Sequence, residues 1–146
     1  MKKEEIIKQL VPGVIVGFVL GFVITLLVGV DTVNPIPNYI GGAVCCLVPT
    51  LLNTIIVLKG TAKVLKRKIS FGKAVLRTVP LALLSAVMGF LVVTVGVEKI
   101  IGISTCEISV IVTAIYEAIL GVVLSTLFAY IALKKYVSDV KYTKRK

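Results

Sequence analysis

The sequence predicts an all-α membrane protein of four transmembrane helices, with both termini on the cytoplasmic side. Three observations carry this reading. The chain of 146 residues is 58% hydrophobic with mean hydropathy +1.05, too apolar for a soluble domain of its size. Its apolar residues fall into runs at 10–30, 39–58, 78–97 and 108–133. At a rise of ~1.5 Å per residue, each run reaches across a hydrocarbon layer about 30 Å thick. Finally, of the 17 Lys and Arg, all but Lys99 lie before the first run, between the second and third, or after the fourth. Basic residues mark cytoplasmic flanks, so the ends and the middle loop 59–77 face inward, and loops 31–38 and 98–107 face outward. The expected location is the plasma membrane.

The net charge of +10 does not require a nucleic-acid partner, because the cations sit within a few residues of span ends. They favour anionic lipid headgroups at the inner surface. The stretch 59–77 has no acidic residue and intersperses Val64, Leu65, Ile69 and Phe71, so it is expected to lie on that surface as an extension of the second span. The first run is too long for a signal-peptide core and no small-residue cleavage site follows it, so it is expected to remain as a span.

Span 1 carries the clearest packing signal. Gly13, Gly17, Gly21, Thr25 and Gly29 recur every four residues, a small face that permits close backbone approach where lipid supplies no hydrophobic drive. Its expected partner is span 3 through Ser85 and Gly89, or span 1 of a second subunit. Span 2 contains Pro49, where a kink is expected because the carbonyl four residues back loses its donor. Thr50, Asn53 and Thr54 follow it as a polar patch able to satisfy that carbonyl or to contact a solute.

Span 4 holds Glu117, the one ionisable side chain inside an apolar run. Thr113, Glu117, Gly121, Ser125 and Ala129 share a face, so the Glu is expected to point into the bundle, with Thr94 or Tyr116 as company. A carboxyl at that depth costs on the order of 2.5–3.5 kcal/mol and suits a proton or cation site. Candidate ion or solute contacts are therefore Glu117, Asn53, Thr50 and Thr113, and candidate packing positions are the span 1 stripe with Ser85, Gly89, Gly121 and Ser125.

Short matches also point to a tandem duplication of a two-helix hairpin, with halves 10–60 and 78–135. Val11-Pro12 aligns with Val79-Pro80, Val19, Gly21 and Phe22 with Val87, Gly89 and Phe90, and Thr50–Ile55 with Thr126–Ile131. Both copies start in the cytoplasm, so the repeats are parallel, related by an axis along the membrane normal.

There is no His, and no P-loop, metal-ligand cluster or nucleophile–base constellation is legible. No cofactor, metal or enzymatic activity is expected. Cys45 and Cys46 read as small apolar fillers, and Cys106 as an outward thiol that can link two subunits. Two functions compete. One is a small homo-oligomeric channel or transporter linked to a proton or cation through Glu117. The other is a non-transporting accessory, scaffold or immunity-type protein that acts through helix packing and its basic surface.

Overall fold

The computed structural model describes residues 3–143. Lys2, Lys144, Arg145 and Lys146 lie outside the described residues. The chain runs α1 (Lys3–Val28), α2 (Ile36–Val64), α3 (Phe71–Leu91), a π-helical continuation of α3 (Val92–Ile101), a 3-10 turn (Thr105–Glu107) and α4 (Val110–Thr143). The described residues form no strand, and four helical spans are long and apolar enough to cross a membrane. This is an all-helical membrane-compatible bundle. One end carries connections 29–35 and 102–109 and is called the loop end; the other carries the start of α1, connection 65–70 and the end of α4.

Every helix is longer than the apolar run that predicts it, although α1 stops at Val28, short of its run's end, and α4 starts at Val110, inside its run. The basic stretch 59–77 is mostly helix, with α2 reaching Val64 and α3 starting at Phe71. Span 3 likewise continues through Glu98 and Lys99 to Ile101, which shortens the expected outer loop 98–107. The physical reason is that hydropathy marks where lipid begins, whereas a helix stops only where its backbone is capped. Lys66 adopts φ 51° and turns the chain after α2. Ser70 caps α3 by accepting from the Lys73 N–H at 3.4 Å. Gly102, at φ 77°, ends the π-helix in the left-handed conformation that glycine tolerates. The Ser109 hydroxyl accepts from the Val112 N–H at 3.4 Å at the start of α4.

Helix α2 is the most buried, with 56% of its apolar window inside the bundle against 22% for α1 and for α3 with its continuation. It packs along α4; α1 lies against both, and α3 lies chiefly on α2. The expected pairing of spans 1 and 3 is thus not formed. Helix α1 buries only Gly13, Gly17, Gly21 and Thr25 and exposes Val11, Ile15, Val19 and Leu27. Large apolar side chains face outward and small ones inward, as suits a helix whose solvent is lipid. Gly29 departs from the stripe. It lies beyond α1 with φ 83°, and a Cβ there meets nothing within 4 Å.

At the terminal end Ile55, Leu58, Ala62, Ala74, Ala132 and Tyr136 pack together, Val57, Ala129 and Leu133 form a second cluster, and Thr54, Thr61 and Thr78 are also buried. At the loop end, polar contacts tie the connections down. The Asn38 side chain donates to the Asp31 carbonyl and accepts from its N–H, both at 3.0 Å. The Asp31 carboxylate accepts from the Asn34 and Val33 N–H groups, which hold it below the ordinary carboxylate range. Glu98 accepts from the Tyr39 hydroxyl, and from the Thr105 hydroxyl at 2.7 Å. This pins the π-helical end to α2, so Glu98 is a structural clasp at the loop end.

Candidate functional site

The site grows from the close packing of α1 and α4. A Cβ on Gly21 would lie 2.9 Å from the Ala118 Cα, so the helices meet there backbone to backbone. That contact carries Thr25, one turn on, to the neighbouring position on α4, Glu117. The Glu117 side chain is 1% exposed. Its Oε2 accepts from the Thr25 hydroxyl at 2.7 Å, and the Cys45 thiol of α2 lies 3.6 Å from the same oxygen. Gly41 opens the space for the carboxyl: a Cβ there would sit 3.2 Å from Oε2 and 3.4 Å from Oε1. The other oxygen, Oε1, is buried and has no hydrogen-bond partner among the described residues.

The cluster accommodates either protonation state. Thr25 Oγ1 is also 3.1 Å from the Gly21 carbonyl and 3.1 Å from Cys45 Sγ, and Cys45 Sγ is 3.3 Å from that same carbonyl. With Glu117 ionised, Thr25 donates to Oε2 and Cys45 donates to Gly21. With Glu117 protonated on Oε2, the carboxyl donates to Thr25, which turns its own proton to Gly21. Only hydroxyl rotation is needed, because a hydroxyl both donates and accepts. Glu117 lies seven residues into α4, about 10 Å from that helix's loop-end start.

The other candidates are distributed along the bundle. Thr113, one turn nearer the loop end, is buried with an unpartnered hydroxyl. Asn53 is buried against α1, where a Cβ on Gly13 would lie 1.7 Å from its Oδ1, and neither end of its amide has a partner. Thr50 turns to α3 instead, 2.8 Å from the Ser85 hydroxyl, which donates to the Cys46 carbonyl at 3.1 Å. The polar patch after Pro49 is therefore split between two neighbours. The Cys45 carbonyl, freed by Pro49, faces α4 at Gly121, where a Cβ would come within 2.4 Å of it. Close approach by a glycine backbone covers that oxygen; Thr50 and Asn53 do not.

Sequence reasoning missed Thr25 and Cys45 as partners of Glu117. Thr25 read as one more small residue of the stripe, and Thr94, expected nearby, instead donates to the Phe90 carbonyl at 2.8 Å. The signal that was available is the interruption of a glycine series by a hydroxyl. Among the described residues no group of three or more His, Cys, Asp or Glu could hold a metal. No protein-family model, curated protein or solved structure matches the chain, so no residue takes its role from a relative.

Proposed function

We propose that the protein is a small proton- or cation-linked channel or transporter of the plasma membrane, acting as a homo-oligomer with cytoplasmic termini and using Glu117 as the ion site. One observation carries this reading: a fully buried carboxyl keeps one oxygen bonded and leaves the other without a partner. Buried polar atoms are nearly always satisfied, and an intramembrane acid is expensive. An open carboxyl oxygen among groups that rearrange by rotation alone suits a site that gains and loses a proton or small cation. The unpartnered Thr113 above it and Asn53 below it lie along the same helices and support a polar route. Purified protein in vesicles with an entrapped pH dye should dissipate an imposed proton gradient, and Glu117→Gln should abolish that flux while assembly is unchanged. Flux equal in wild type and variant removes the reading.

A second reading has its own support. Glu117, Thr25 and Cys45 come from α4, α1 and α2, so the cluster also joins three helices. In an accessory or scaffold protein, Glu117→Gln would lower thermal stability and leave no flux to lose.

The tandem duplication gains support from paired contacts. The alignment of Gly21 with Gly89, and of Thr50 with Thr126, makes Ala118 the counterpart of Gly42. Gly21 meets Ala118, and a Cβ on Gly89 would lie 2.5 Å from the Gly42 carbonyl. Gly17 meets Val122, and their counterparts Ser85 and Cys46 are hydrogen-bonded. In each half the first helix thus approaches the second helix of the other half at matching positions.

A further inference from the structure

We infer that the groove at the α2–α3 corner is a binding site for the phosphate of an anionic phospholipid headgroup. The groove, about 530 Å³, is lined by Lys59, Lys63, Arg67 and Lys68 with the Ser70 hydroxyl, over a floor of Ala62 and Ile69. Among the described residues no acidic side chain lines it. The convergence is built by the backbone. Lys59 and Lys63 are one turn apart on α2 and share a face. Lys66 at φ 51° then reverses the chain, and the Arg67 N–H donates back to the Ala62 carbonyl at 2.8 Å. This fold-back sets Arg67 and Lys68 beside the two lysines.

Four like charges held around one concavity repel each other, and an anion removes that cost. A phosphate matches the donors: a planar guanidinium for two oxygens, ammonium groups for the rest, and the hydroxyl of Ser70 at the start of α3. A lipid matches the surroundings. Phe71 and Val64 are exposed beside the groove, and the Lys59 ammonium lies 5.2 Å from the centre of the Phe71 ring. An aromatic ring beside cations at the end of a membrane-suited helix is an interfacial arrangement. The site is independent of Glu117 and stands whatever that residue does.

The test uses full-length protein in mild detergent, titrated with phosphatidylglycerol and followed by native mass spectrometry. The variant pair Lys63→Gln with Arg67→Gln removes two groove cations. The pair Lys134→Gln with Lys135→Gln removes the same charge from α4, outside the groove. All four side chains are exposed, so folding is retained. The groove pair should bind about 30-fold more weakly, at roughly fivefold per cation, and the α4 pair should change affinity less than threefold. Phosphatidylcholine should bind the wild type no better than it binds the groove pair. Equal losses in both pairs would mean a diffuse basic surface and overturn the proposal. Displacement of the lipid by millimolar inorganic phosphate would overturn it too, since the groove would then be a site for free phosphate.

Discussion

At the scale of single residues, the glycines divide by what a methyl group would meet. At Gly21 the nearest atom is backbone, the Ala118 Cα at 2.9 Å, so Gly21→Ala must push α1 off α4. We expect a loss of about 1–3 kcal/mol, read as a lower midpoint of thermal unfolding in detergent. Gly72 lies in the first turn of α3 with nothing within 4 Å. There Gly72→Ala restricts the unfolded chain at no steric cost and should gain about 0.5–1 kcal/mol. A neutral Gly21→Ala would mean that the α1–α4 contact is looser than described. Several glycines serve polar neighbours: Gly13 faces Asn53, Gly17 faces Ser125, Gly41 faces Glu117, and Gly60 faces Gln9. The stripe of small residues is thus a set of recesses for polar side chains as well as a contact surface.

At the scale of elements, polar bonds fix which helix lies where. Helix α3 exposes most of its large apolar side chains and is held to α2 by Gly89 against Gly42 and by the Ser85–Thr50–Cys46 cluster. Ser85→Ala removes both hydrogen bonds and leaves the Thr50 hydroxyl buried without that partner. Interhelical hydrogen bonds in membranes average about 0.6 kcal/mol and reach about 1.7. Ser85→Ala should therefore destabilise by about 1–2 kcal/mol, and Thr50→Ala added to it should cost little more. Additive losses in that double-mutant cycle would show that the two hydroxyls act separately. The Arg77–Asp139 bridge at 2.9 Å joins α3 to α4, but both side chains are more than 40% exposed. Its contribution is at most about 1 kcal/mol, so packing holds α3 more than charge does.

For the whole molecule, the inside-out distribution of side-chain size makes lipid the natural solvent, and the cation pattern proposes its orientation. The thiols supply a direct test. Cys45 and Cys46 are 0% exposed, whereas Cys106, near the loop end, is partly exposed. In sealed vesicles a membrane-impermeant maleimide should label Cys106 from the face opposite the one that presents a tag on either terminus. Labelling from the same face as the tags would refute the four-span topology.

Composition and pattern alone determined four helices long and apolar enough to cross an oil-like layer, because lipid solvation acts on each run separately and leaves its mark in local hydropathy. The same patterns singled out Glu117 and the span 1 stripe, since a charge or a series of glycines in such a run is conspicuous without knowing its neighbour. What only the tertiary structure decided is which faces meet. The partner of α1 is α2 and α4, Thr25 and Cys45 hold the carboxyl, and Thr50 and Asn53 turn to different helices. Apolar helices in lipid have no hydrophobic reason to prefer one neighbour, so the choice rests on steric fit and on hydrogen bonds between residues far apart in the chain. Those are properties of the assembled bundle, and no single run encodes them.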